Sequence, residues 1–197
     1  MTAEQEIDMG ARQLNFHETE RDLKWQNYLQ HKQQLIESAT QARDKGISYR
    51  EIKFQVGCSI LGNRAGEDGG LIVNGFNYTP TKKPHANAEK RCAERNAVQR
   101  GLEKGITKID ALVTVSCESS TNNNPDEKMA LHPCRDCRDL LRQLKDDGVM
   151  TDDTIICSIN DKHEIIEERT LSQLLELYDN DETNTVLIET PDRNYIN

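Results

Sequence analysis

Two short segments hold the residues best suited to chemistry, Cys92-Ala93-Glu94-Arg95 and Pro133-Cys134-Arg135-Asp136-Cys137-Arg138. Cys134 and Cys137 stand three apart, so on a helix both sulfurs lie on one face. Both segments fall where helices are expected to begin. There the free N–H groups and the helix dipole favour thiolates, so all three cysteines stand where they can ligate a metal. Catalytic zinc sites keep a fourth position for water, whereas structural sites fill it with protein. No second close cysteine pair exists, and neither His85 nor His132 has zinc-finger spacing, so three ligands plus water is the expected count. Glu94, two residues after Cys92, can then lie beside the metal-bound water without ligating. A proton shuttle between water and a leaving amine is needed at that place. Taken separately, the pair also fits a redox or structural site, and Glu94 also fits a simple dipole partner. The joint spacing is what points to catalysis.

The elements that position these residues follow from periodicity. Residues 1 to about 46 carry apolar side chains at Leu14, Leu23, Trp25, Tyr28, Leu29, Leu35, Ile36 and Ala39, a helical spacing ending near Gly46 as a glycine cap. Trp25 and Tyr28 are expected to cover a core edge or a subunit contact. Ile52, Phe54, Val56 and Cys58 alternate and predict a strand to about Leu61, with Leu71 to Gly75 as its hairpin partner. A helix is expected over 92–104, with Ala93, Ala97, Val98 and Leu102 on one face and Gly105 as its stop. Ile109 to Cys117 reads as a buried strand, 119–130 as a solvent loop, and 134–146 as a helix ended by Gly148. Short strands over 154–159 and 163–167 precede a helix from Leu171 to Tyr178 opened by Thr170, and Thr185 to Glu189 is a candidate edge strand. This order predicts three layers around one mixed sheet. Residues 1–32 read as a helical extension, 33–178 as the domain and 179–197 as an acidic tail.

Composition bounds what such a site can serve. The 197 residues carry 34 acidic and 25 basic side chains, a formal charge of −9, which argues against bulk attachment to DNA or an anionic membrane. With only 5% aromatics there is little to stack single strands, so a nucleic-acid partner is not expected. No apolar run approaches a membrane helix and Met1 to Gly10 has no signal-peptide core, so the expectation is a soluble, cytoplasmic protein. Reduced thiols or a metal are then expected rather than a disulfide framework. Beyond the three candidate ligands, Cys58, Cys117 and Cys157 fall on expected strands as small apolar residues.

The two motifs together match the zinc deaminase pattern of a ligand, a glutamate at i+2, and a later P-C-x-x-C. Over roughly residues 33 to 178 the chain resembles the cytidine deaminase family, in the branch whose first ligand is cysteine. Phe54-Gln55-Val56-Gly57-Cys58 is similar to the family's F-x-V-G-A strand, and Cys92-Ala93-Glu94-Arg95-Asn96-Ala97 to its C-A-E-R-x-A helix start. Leu171 to Leu175 resembles the leucine-rich C-terminal helix. The resemblance implies an α/β fold with a mixed five-stranded sheet flanked by helices. It further implies Zn²⁺ on Cys92, Cys134 and Cys137, and hydrolytic deamination at C4 of a cytosine-type base with Glu94 shuttling protons. Arg95 would offset thiolate charge, and Phe54, Asn77 and Thr79 would contact substrate. The implied substrate is cytidine or deoxycytidine and the implied assembly a homodimer or homotetramer. Tyr178 is placed where family oligomers complete a neighbouring pocket with a C-terminal aromatic.

Departures bear on the substrate. Family nucleoside deaminases hold ribose with an N-x-E pair, but Asn77-Tyr78-Thr79 puts threonine where the glutamate should stand. In lacking that glutamate it resembles the blasticidin-S deaminase side of the family. The loop from Asn77 to Cys92 is longer than usual, and residues 82–108 hold eight Lys or Arg against three acids. That stretch reads either as a solvated loop or as an anion site for a phosphate. Arg135 replaces the glycine of P-C-G-x-C, while Arg138 reads as a solvated helix arginine. A modified or non-canonical aminopyrimidine nucleoside, nucleotide or nucleoside antibiotic is the alternative substrate. A non-catalytic zinc-binding interaction module is the alternative class.

Overall fold

The strand at the centre of the molecule is apolar toward both sides. In the computed structural model, which describes residues 3–48, 54–67, 70–79, 91–116, 130–160 and 166–179, with side chains from Glu20 onward, that strand is Ile106–Ser116. Its Leu112 faces one core, whereas Ala111, Val113 and Val115 face another. A strand buried on both faces needs helices over both.

In chain order the elements are α1 (Ala3–Arg43), β1 (Ile47–Ser48), β2 (Val56–Arg64), β3 (Leu71–Phe76), β4 (Tyr78–Thr79), α2 (Ala93–Glu103), β5 (Ile106–Ser116), α3 (Arg135–Asp146), β6 (Ile155–Asn160), β7 (Ile166–Thr170) and α4 (Leu171–Asp179). Five strands form one sheet in the order β3-β2-β5-β6-β7, and β1 pairs with β4 separately. β5 and β6 run parallel, while the other neighbours in the large sheet are antiparallel. The fold is thus the expected three-layer α/β arrangement around a mixed five-stranded sheet. Among the described residues, no helix is long and apolar enough to cross a membrane.

On one face, Leu35, Ile36 and Ala39 of α1 pack against Leu61, the β5 residues above, and Ile155, Cys157 and Ile159. Tyr28 is buried with them and donates its hydroxyl to Glu168, while Lys32 pairs with the same carboxylate at 2.9 Å. Position 32, the expected edge of the extension, therefore lies within a continuous helix. Ser59 Oγ donates to the Leu35 carbonyl at 2.7 Å. Gly57 permits that approach, because a Cβ there would meet the Ala39 carbonyl at 1.9 Å.

The other face holds α2, α3 and α4 over Val56, Cys58, Ile60, Leu112 and Ile156. Thr170 opens α4 as expected: its Oγ1 accepts from Gln173 N at 3.2 Å, and Gln173 Oε1 accepts from Thr170 N at 2.9 Å. Gly105 and Gly148 end α2 and α3 in the left-handed region, at φ 84° and 68°.

Three expectations need correction. Gly46 is not a left-handed cap; it is small because a Cβ would come within 2.5 Å of Asn77 Oδ1. Leu102 is 43% exposed, and Gly101 takes the core position of α2 against Ile60. The last sheet strand runs to Thr170, past the expected end at Glu167, while 163–165 lie outside the described residues. The expected elements at 119–129 and 185–189, with Cys117, lie outside the described residues.

Gly75 governs the active face. A Cβ there would meet Ala97 N at 2.3 Å and the Ala93 carbonyl at 2.8 Å, so α2 lies with its backbone directly on β3. Gly75→Ala is expected to destabilise the chain by about 3 kcal/mol, an overpacking cost against backbone that cannot yield. Denaturant unfolding measures this, and a wild-type midpoint would contradict the packing described.

Candidate active site

Cys92 and Cys134 are the residues just before α2 and α3. Both have extended backbone (φ −72°, ψ 154° and φ −64°, ψ 169°), and neither side chain caps its helix. Their thiols are instead turned toward each other, 3.6 Å apart. Cys137, in the first turn of α3 and fully buried, places its sulfur 3.4 Å from that of Cys134. All three Sγ atoms lie within 4.8 Å of one another. That spacing suits three ligands around one cation, and three thiols with zinc's usual partners' softness make a fitting donor set.

The two helix starts are tied to each other and to the sheet. Asn96 Nδ2 donates to the Phe76 carbonyl at 2.7 Å, anchoring α2 to the end of β3. Arg95, exposed, donates from Nη2 to the Asp136 carbonyl at 3.3 Å and so bridges to the first turn of α3.

Burial and mutual proximity disfavour the ionised forms of Cys92, Cys137 and Glu94. The hydrogen bond with Cys134 pushes the Cys92 thiol up; burial and the charges of Glu94 and Cys134 add to this, while Cys137 opposes it. Cys137 is pushed up by hydrogen bonds with Cys134 and Cys92, then by burial. Glu94 sits beneath them at 5% exposure. Burial, followed by the charge of Cys134, raises its carboxyl to about 7, against the opposing pull of its backbone N–H and the Cys137 thiol. A carboxyl poised near neutrality can take up and release a proton at working pH.

Sequence comparison bears directly on this cluster. Residues 29–152, more than half of the chain, match the model of the cytidine and deoxycytidylate deaminase zinc-binding region. The chain belongs to that family. The fold is shared with a solved structure at low identity, and weaker likenesses accompany it. A cytidine deaminase from Burkholderia pseudomallei superposes with a TM-score of 0.53 at 22% identity, covering 72% of this chain and 94% of that one. Cytidine deaminase from Mycobacterium tuberculosis gives 0.48 at 24% identity, over 73% and 92% of the two chains. The dCMP deaminase of cyanophage S-TIM5 gives 0.38 at 18%, over 74% and 92%. No curated protein matches the chain. The matched region thus contains both cysteine segments, and the three thiols form a cluster spaced to hold one metal ion.

Around this deaminase centre the remaining candidates are placed as follows. Asn77, 6% exposed, accepts from Val56 N at 2.9 Å through Oδ1 and donates to the Phe54 carbonyl at 2.8 Å through Nδ2. Its amide thereby fixes the chain entering β2, with Phe54 half-buried against the core. Thr79 is half-buried at the end of β4, paired with Ser48. Of the basic stretch, Lys82, Lys83, His85 and Lys90 lie outside the described residues; Arg91 is exposed and bridges to Tyr78.

Arg138 corrects the sequence reading. It is not solvated but 9% exposed, with Nη1 donating to the Pro133 carbonyl at 2.8 Å and its guanidinium 3.8 Å from the Tyr178 ring centroid. Tyr178 stacks within its own chain. Tyr178 comes from an element forty residues away, so local periodicity carries no signal for this contact.

Because the Cys92 and Cys137 thiols are pushed up and hold their protons, zinc must displace those protons on binding. Zinc affinity is expected to rise with pH between 6 and 8, roughly tenfold per unit for each proton displaced. Competition with a chromophoric chelator reads this, and an affinity independent of pH would contradict it.

Proposed function

We propose that the protein is a zinc-dependent hydrolytic deaminase that converts a cytosine-type nucleoside, cytidine or deoxycytidine, to its uracil counterpart and ammonia. The observation that carries this reading is Glu94, buried beside three clustered thiols and two residues from one of them. A purely structural metal site gains nothing from such a carboxyl, whose burial is costly. Cys92, Cys134 and Cys137 would hold the zinc, which when bound supplies Lewis acidity and lowers the pKa of a water. Glu94 takes a proton from the attacking water and gives it to the ring nitrogen, then takes the second proton from the hydroxyl formed at C4 and delivers it to the leaving amine. Arg95, bonded across to the first turn of α3, offsets thiolate charge where the two helices meet.

Substrate contacts are assigned to Phe54, Asn77 and Thr79. Asn77 holds the backbone at Phe54; in this reading Phe54 would meet the base and Thr79 the sugar. A threonine offers one neutral oxygen where a carboxylate offers two charged ones, so it cannot hold two sugar hydroxyls in the same way. That observation favours a second reading, in which the substrate is an aminopyrimidine nucleoside, nucleotide or antibiotic with an altered or phosphorylated sugar. The domain is taken to span 33–178 between an extension and an acidic tail, acting in the cytoplasm as a homodimer or homotetramer.

Ammonia release from cytidine, deoxycytidine, their monophosphates and aminonucleoside antibiotics separates the two readings. Comparable turnover of cytidine and deoxycytidine alone supports the first; turnover confined to the others supports the second. Glu94→Gln is expected to lower turnover by about 10²–10⁴-fold while retaining zinc. An undiminished rate would contradict the assignment.

A further inference from the structure

The segment that delivers Cys134 to the metal cluster has no regular structure of its own. Residues 130–134 belong to neither helix nor strand. Among the described residues, no backbone–backbone hydrogen bond ties 131–133 to the rest of the chain. Side chains hold the segment instead, and they form a closed cycle. Arg138 donates to the Pro133 carbonyl at 2.8 Å, and its guanidinium lies over the Tyr178 ring. The Tyr178 hydroxyl lies 2.8 Å from His132 Nδ1, and His132 is bonded covalently to Pro133. Glu167 Oε2 completes the hold at 2.7 Å from His132 Nε2.

The proton assignment follows from the partners. A carboxylate only accepts, so His132 Nε2 carries a hydrogen, and in the neutral ring Nδ1 accepts from the tyrosine hydroxyl. Both ring nitrogens are thus committed, and the His132 side chain is only 9% exposed. Glu167 comes from β7 and Tyr178 from α4, the far edge of the sheet and the last described helix.

We propose that Tyr178 and Glu167 are positioning residues of the metal centre, acting through Arg138 and His132 to hold Cys134 against Cys92 and Cys137. Motion at His132 or Pro133 passes directly to the neighbouring Cys134, whose sulfur lies 3.6 Å from that of Cys92 and 3.4 Å from that of Cys137. Partners behind metal ligands commonly change metal affinity by about 10- to 100-fold when removed. The inference rests on the zinc site of the proposed function, not on its substrate.

The test uses the full chain with Arg138→Met and with the double variant Tyr178→Phe/Glu167→Gln. The double variant removes hydrogen bonds with almost no change in volume and decides the matter if Arg138→Met fails to fold. Zinc affinity is measured by chelator competition, and site geometry by the absorption of the Co²⁺-substituted protein. The expected result is zinc binding weakened by roughly tenfold or more, with altered cobalt bands, while the metal-free unfolding midpoint stays near wild type. Unchanged affinity and cobalt spectra in the folded variants would overturn the proposal. So would a loss of affinity that only follows lost stability of the metal-free chain. A wild-type chain that binds zinc but releases no ammonia would defeat the deaminase reading and leave this measurement intact.

Discussion

Three sulfur atoms within 4.8 Å, one of them fully buried, with a buried carboxyl beside them, make an arrangement that repels itself once the groups ionise. Like charges in a poorly solvated place raise one another's pKa, and a divalent cation reverses that balance. The rest of the structure bears on this constraint. The dipoles of α2 and α3 converge on the sulfurs and favour their ionised form. Cys92 and Cys134 leave their helices uncapped by side chains, which keeps both thiols available to the cluster. Gly75 brings the α2 backbone down onto β3, and Arg95 links the two helix starts.

The rest of the fold works at longer range. β5 is covered on both faces, with α1 opposite α2 and α3, so these two helices stand on a sheet supported from behind. Asn77 spends its amide on the backbone at Phe54 and Val56, making the approach to the site part of the packed structure. The edge formed by β7 and α4 does the same for the approach to Cys134, through Glu167 and Tyr178 acting on His132 and Arg138.

Much of this was legible in the residues alone. Cysteine–alanine–glutamate before one helix and proline–cysteine–x–x–cysteine before the next specify the metal chemistry, because helix starts and i, i+3 spacing are local. The five strands and their helices follow from alternation and helical spacing for the same reason. What escaped depends on contacts between distant elements. Gly46 reads as a cap until Asn77 is found beside its α-carbon, and Leu102 reads as core until Ile60 is seen against Gly101. Arg138 reads as solvated until Tyr178, forty residues further on, lies across it. Thr79 could be identified as a departure, but its consequence for the sugar depends on substrate geometry that spacing does not encode.

The central claim is that one cation on these three thiols, acting with Glu94, carries out the reaction. Titrating the metal-free protein with Zn²⁺ while recording ammonia release from the substrate panel tests it most directly. The account predicts a rate that climbs linearly to one zinc per chain and then levels off. Full turnover without metal, or no turnover on any member of the panel at one zinc per chain, would contradict it.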